Sequence, residues 1–258
     1  MNIKKLRVNK MKIQYVSDLH LEFKDNVDGL MHIDNKADIL IIAGDLNVGS
    51  KIFPTLTELA KKQIVIFVYG NHEFYNHKPL EYLKKEGRSV SKSTKNLYIL
   101  DRDSVTINDT TFIGATGWID GSFKNINEYQ YRDYNDFHTV IGFSTSCKDW
   151  GNDDRIYLQE TVAKSKTKNN IVITHFLPIT SCIANRYMTN RYNPCFSNNW
   201  EWVFDYKDKI DYWIHGHSHE LLDINLNGIN FCRNPFGYPR ETTQFNPYKI
   251  IEVNKIEK

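Results

Sequence analysis

The sequence predicts an α/β fold, on three observations. Short apolar runs recur along the chain, with residues 39–43, 64–69 and 171–174 the clearest, and such runs suit strands buried on both faces of a sheet. A stretch with Leu56, Leu59 and Ala60 at helical spacing lies between the first two, giving the strand–helix–strand order of a parallel sheet. The rhythm then changes to short hairpin-like strands and later returns to helix and buried strand.

Taken in order, residues 1–10 form a basic extension (Lys4, Lys5, Arg7, Lys10) expected to fray ahead of the first strand. Residues 12–16 are that strand, and it runs into Ser17-Asp18-Leu19-His20. Residues 39–43 form a second strand ending at Gly44-Asp45, 54–62 a helix, and 64–69 a third strand ending at Gly70-Asn71-His72-Glu73. A helix is expected over 79–85, then strands over 97–100, 104–107 and 111–115, the last two joined at an Asn108-Asp109 turn. From 117 to 151 aromatic residues sit among Asp, Asn and Gly with no sustained period, which reads as a long irregular excursion of the kind that tends to carry function. Residues 153–168 return to helix, and 171–174 form a strand ending at His175. A second irregular segment spans 177–199. A strand over 211–214 ends at His215-Gly216-His217-Ser218-His219, a hairpin of 221–226 and 229–233 turns at Asn227-Gly228, and 249–253 form the last strand.

The 258 residues fit a single domain with its own core. A net charge of +2 gives none of the basic footprint of a dedicated nucleic-acid binder, so nucleic acid is not a favoured partner. The four cysteines (Cys147, Cys182, Cys195, Cys232) are scattered and match neither a zinc ribbon nor a disulfide framework. Together with the lack of a membrane-length apolar run or a signal peptide, this points to the cytoplasm and away from membranes.

Five predicted strands end in polar clusters built only from Asp, Asn and His: Asp18 and His20, Asp45, Asn71 and His72, His175, and His217 and His219. Ligands of such sheets bind beyond the carboxyl ends of the strands, so these donors are expected to converge. With no thiolate among them, they suit Mn, Fe, Zn or Ni. A lone carboxylate can bridge two ions about 3.5–4 Å apart, the clamp used for phosphoryl displacement.

The ordered strings Asp18-Leu19-His20, Gly44-Asp45, Gly70-Asn71-His72-Glu73, His175 and Gly216-His217-Ser218-His219 resemble the DxH, GD, GNH[ED], H, GHxH pattern of the calcineurin-like metallophosphoesterases. The resemblance implies a four-layer α/β/β/α sandwich of two mixed sheets, with two divalent metal ions at the carboxyl edge and manganese as the first expectation. It implies that Asp18, His20 and His219 hold one metal, that Asn71, His175 and His217 hold the other, and that Asp45 bridges them. A hydroxide between the metals would attack phosphorus in line. His72 would face the substrate and Glu73 would orient it or a metal ligand. Asn234-Pro235-Phe236-Gly237-Tyr238 resembles the Asn-Pro-x-Gly-Tyr segment of bacterial members, which shapes the rim of the site.

The expected substrate is a small phosphodiester or phosphomonoester such as a nucleotide. Arg186 and Arg191, in the segment that leaves from His175, are candidates for phosphate recognition through the guanidinium fork, and His138 is a candidate to reach the site from the first excursion. A DNA nuclease of the same superfamily is the alternative, disfavoured by the near-neutral charge. A protein Ser/Thr phosphatase is disfavoured because that subgroup carries GDxxDRG, whereas Asp45 is followed here by Leu46-Asn47-Val48-Gly49. A non-catalytic binding module is disfavoured because the ligand positions and His72 are intact.

Overall fold

A computed structural model describes residues 10–33, 37–123 and 132–254. The frayed extension expected over 1–10 lies outside them, except for Lys10, which pairs with Asn254 in a sheet. In chain order the strands are β1 (Lys10–Val16), β2 (Ile39–Ala43), β3 (Ile64–Val68), β4 (Leu97–Ile99), β5 (Asp103–Ile107), β6 (Thr110–Gly114), β7 (Asn169–Ile173), β8 (Tyr212–Ile214), β9 (Leu222–Leu226), β10 (Ile229–Arg233) and β11 (Ile250–Asn254). The α-helices are α1 (Ile52–Ala60), α2 (Leu80–Ser93), α3 (Asn135–Thr139) and α4 (Phe143–Lys164).

The strands form two mixed sheets. One has the order β11-β1-β2-β3-β4 and is parallel except for β11; the other has the order β5-β6-β7-β8-β10-β9 and is parallel except for β5 and β9. Alternation along the strands explains the layering. Leu40, Ile42, Val65 and Phe67 pack with Leu56, Leu59 and Leu83 of α1 and α2, while Ile39, Ile41, Ile66 and Val68 pack with Phe112, Ile171, Ile173 and Ile214 of the other sheet. The outer face of that second sheet, with Ile113, Val172 and Trp213, meets Leu158 and Val162 of α4. Helices, sheet, sheet and helix thus form the four layers.

Helix lengths differ from the sequence reading. α2 continues to Ser93 instead of stopping near residue 85, and α4 starts at Phe143, well inside the stretch expected to be irregular. Its buried positions are Phe143, Cys147, Gly151, Asp154, Leu158 and Val162, a regular helical stripe. Gly151 is in that stripe because a Cβ there would lie 2.5 Å from the Trp118 carbonyl oxygen. Asp154 is in it because its carboxylate accepts the N–H groups of Gly117 (2.8 Å) and Trp118 (3.2 Å), fixing the chain beyond β6.

Burial pushes the Asp154 carboxyl up to about 6 against the pull of Lys84 and Arg102. An acid that binds its proton more tightly when folded contributes most at low pH, and that contribution is lost as pH rises from the ordinary carboxyl range through about 6. Asp154→Asn keeps an acceptor for the two N–H groups and removes the titration. Relative to the wild type, its Tm should therefore fall less, or not at all, between pH 4 and pH 6, a difference of at most about 3 kcal/mol. Parallel Tm–pH curves for the two proteins would refute this assignment.

The carboxyl ends of β1, β2, β3, β7 and β8 lie along one edge, and backbone bonds join the loops there. Asp18 N donates to Gly44 O (3.0 Å), His20 N to Asp45 O (2.9 Å), Gly216 N to His175 O (3.0 Å) and Gly237 N to Asp18 O (2.9 Å).

Candidate metal centre

The loops at this edge adopt unusual backbone conformations. Asp18, His20, Asp45 and His217 all have positive φ, at 54°, 46°, 56° and 69°. Side chains rarely occupy this region, and such strain collects where function needs a particular direction. The neighbouring glycines allow the crowding. A Cβ on Gly70 would collide with the Asp45 carboxylate, and one on Gly216 would lie 2.8 Å from Ala43 O and 2.9 Å from Asp18 Oδ2. The Gly of these two strings is therefore as necessary as the donor that follows it.

All seven predicted donors converge, and they fall into two sets. In the first, His20 Nε2 is 3.2 Å from His219 Nε2, which is 3.5 Å from Asp18 Oδ1. In the second, His175 Nε2 is 2.9 Å from Asn71 Oδ1 and 3.2 Å from His217 Nδ1. Asp45 Oδ2 lies between the sets, 3.3 Å from His175 Nε2 and 3.8 Å from His20 Nε2. Every member is buried except His219, which is half-buried.

What lies behind each donor decides what the donors can do. His20 Nδ1 faces Glu22 Oε1 (2.9 Å), His219 Nδ1 faces Glu241 Oε2 (2.5 Å) and His175 Nδ1 faces the Ala43 carbonyl (2.9 Å). Those partners only accept, so in the neutral ring each Nδ1 carries the hydrogen and each Nε2 turns its lone pair inward. His217 is turned the other way, with Nε2 on the Tyr134 hydroxyl (3.0 Å) and Nδ1 inward. The Asn71 amide donates from Nδ2 to Asp136 Oδ1 (2.8 Å), which leaves its Oδ1 facing the centre. Inward lone pairs facing one another at these distances, beside two buried carboxylates, fit a divalent cation in each set.

The electrostatics agree. Burial alone would raise the Asp45 and Asp18 carboxyls, but the His175 and His72 charges on the first, and His219 and His175 on the second, hold both below the ordinary range. Burial should likewise strip the proton from His175 and His219. Asp45 instead pushes His175 up to about 9, and Asp18 with Glu241 pushes His219 up to about 10. The centre thus demands positive charge.

His72 stands beside the donors. Its Nδ1 meets Glu22 Oε1 at 2.8 Å, its Nε2 meets the Tyr238 hydroxyl at 3.0 Å, and that Nε2 is 3.9 Å from Asp45 Oδ2. Glu73 lies behind the ligand-bearing loops and not beside the His72 ring. It is fully buried and accepts the backbone N–H groups of Gly70 (2.6 Å), Leu46 (2.7 Å) and Asp45 (3.0 Å), and touches neither His72's ring nor the cleft. It clamps the two loops that carry Asp45 and Asn71 and so acts as a positioning residue. Burial and the Asp45 charge push it up to about 8.

The three residues expected to bind substrate do not line the cleft. Arg186 pairs with Glu220 (2.5 Å) and donates to His219 O (3.1 Å). Arg191 pairs with Asp133 (3.4 Å) and Tyr192, and His138 donates to Arg132 O (2.6 Å). In each case a nearby acceptor, unpredictable from sequence spacing, has claimed the group. Other residues take their place. Tyr75 and Tyr134 line a cleft of about 280 Å³, as do Asn190, Phe196 and Tyr238, with His72 and Asp45 at its floor. Both irregular segments thus reach the site. Tyr238 alone carried a signal, in the Asn-Pro-x-Gly-Tyr string.

A family model described as calcineurin-like phosphoesterase matches residues 11–221, the span that holds every donor. Uncharacterized protein L509 of Acanthamoeba polyphaga mimivirus is 24% identical over 278 residues, covering 95% of this chain and 97% of that protein. The crystal structure of phosphopantetheinyl hydrolase from Mycobacterium tuberculosis superposes with a TM-score of 0.73 at 18% identity, covering 94% of this chain and 95% of the other. At that identity the likeness is one of fold.

Proposed function

The chain belongs to the calcineurin-like phosphoesterase family and is a metal-dependent phosphoric ester hydrolase, and from that premise we propose that it uses two divalent ions to hydrolyse a small phosphomonoester or phosphodiester. The observation that carries this reading is the inward orientation of the donors, fixed by a separate outer partner on each histidine and on Asn71. Asp18, His20 and His219 would hold one ion, Asn71, His175 and His217 the other, and Asp45 both. When bound, manganese or a similar ion supplies charge balance for the phosphoryl oxygens and an acidified water.

The chain's own part is to place and protonate. His72 presents Nε2 at the cleft floor, in reach of a leaving-group oxygen, while Glu22 holds its Nδ1 and keeps the ring in one orientation. Burial lowers the proton affinity of His72, but the Asp45 and Glu22 charges more than offset it, so the ring is held above its ordinary value. Four free, buried thiols support a reducing, cytoplasmic setting. Among the described residues no helix is long and apolar enough to cross a membrane.

The test is a hydrolysis screen of p-nitrophenyl phosphate, bis-p-nitrophenyl phosphate, cyclic nucleotides and a labelled oligonucleotide, with Mn²⁺ added. Turnover of at least one small ester is expected, lost on dialysis against a chelator and restored by Mn²⁺. No turnover of any ester with Mn²⁺, Zn²⁺, Ni²⁺ or Fe²⁺ would defeat the proposal.

A further inference from the structure

The cleft above the donors has a chemistry of its own. Its wall beyond the metal centre is built from Tyr75, Tyr134, Tyr187, Phe196, Leu177 and Ile183. Its polar points there are uncharged: the phenol hydroxyls and the amides of Asn190 and Asn193. Asn193 spends its amide hydrogens on Tyr187 O (2.8 Å) and Met188 O (3.3 Å), so it braces the wall. The charged side chain at the rim is an acid, Glu241, held by His219 Nδ1 and Tyr238 N. The nearby guanidinium groups of Arg186 and Arg191 are spent on Glu220 and Asp133, and no Lys or Arg lines the cleft among the described residues.

These features constrain the organic half of the substrate. An aromatic and aliphatic wall favours a flat apolar group, through both buried area and ring–ring contact. A second anionic group on that half would leave water to face phenols, amides and a carboxylate, with no Lys or Arg among the lining residues to offset its desolvation. The volume of about 280 Å³ leaves room for about one ring system beyond the phosphate.

We infer that the site takes a phosphomonoester whose organic part is a single uncharged aromatic group, in preference to alkyl esters and to esters that carry a second anionic group on the organic part. This rests on the hydrolytic reading above, and it narrows the substrate class of the same site. Tyr187 is the most exposed residue of that wall. Arg186 lies over its ring at 4.7 Å, and the ring is about one third exposed, so it can be removed without opening the core.

The test uses non-hydrolysable probes on the Mn²⁺-loaded protein: methylphosphonate, phenylphosphonate and 4-carboxyphenylphosphonate, titrated by calorimetry. Phenylphosphonate should bind about tenfold or more tighter than methylphosphonate, and the added carboxylate should cancel most of that gain. Tyr187→Ala should narrow the phenyl-to-methyl ratio severalfold. The kcat/KM ratio of benzyl phosphate to methyl phosphate, whose leaving groups are of similar basicity, should show the same preference. Equal affinities for the phenyl and methyl probes, equal or tighter binding of the carboxylated probe, or no binding of any probe would overturn the inference. Phenyl-selective binding with no turnover of either ester would defeat the hydrolytic reading and leave the aromatic specificity standing. Turnover of both esters at equal kcat/KM would do the reverse.

Discussion

Asp45→Asn is expected to lower turnover by about 10³-fold or more and to reduce the bound metal to one equivalent or less, while leaving the fold nearly as stable as before. The two oxygens of this carboxylate do different work. Oδ1 accepts the backbone N–H of His72 at 2.9 Å, fixing the loop that follows β3. Oδ2 lies between the two donor sets, 3.3 Å from His175 Nε2 and 3.8 Å from His20 Nε2. An amide keeps the first acceptor and removes the shared negative charge, so loop position and metal bridging are separated by one substitution. A loss of about 10³ corresponds to roughly 4 kcal/mol, within the several kcal/mol that metal ions supply to a developing phosphoryl charge. Metal content by mass spectrometry, Tm and turnover should be read together. Two equivalents of metal with undiminished turnover would remove Asp45 from the shared position; a collapse in Tm without added denaturant would mean that its role is structural.

The seven donors were legible in the sequence because each lies within a few residues of an apolar strand, and parallel strands bring their carboxyl ends to one edge. The strands themselves were legible because β2, β3 and β7 are buried on both faces and leave unbroken apolar runs. What holds the donors was not legible. Asp136 reaches Asn71 across 65 residues, Tyr134 reaches His217 across 83, and Glu241 reaches His219 across 22, with no shared spacing to mark the pairs. Arg186 and Arg191 failed for a related reason: a sequence displays a charge but not the carboxylate that neutralises it. The first half of α4 was missed because its inward stripe includes Gly151, a residue type that reads as loop, and only the close approach of the Trp118 backbone explains it. The short 3-10 turns between 180 and 206 follow no 3.6-residue period and could not be found by looking for one.

His72→Ala is expected to cut turnover by about 10²-fold while both metal equivalents remain bound. The ring stands outside the two donor sets, and its Nε2 is 3.9 Å from Asp45 Oδ2, so its loss removes no inward lone pair from either set. What is lost is a proton source at the cleft floor. The size of the loss should then depend on the leaving group. An ester of p-nitrophenol, whose anion departs without a proton, should lose much less than an alkyl ester, which needs one. Glu22→Ala provides the contrast, because Glu22 Oε1 serves both His72 Nδ1 at 2.8 Å and His20 Nδ1 at 2.9 Å. Removing it should loosen metal as well as slow the reaction, whereas His72→Ala should only slow it. Equal losses on the two leaving groups would show that His72 stabilises charge instead of donating a proton, and unchanged turnover would exclude it from the reaction. The Tyr238 hydroxyl lies 3.0 Å from the same Nε2, so this nitrogen already faces an oxygen partner in the cleft.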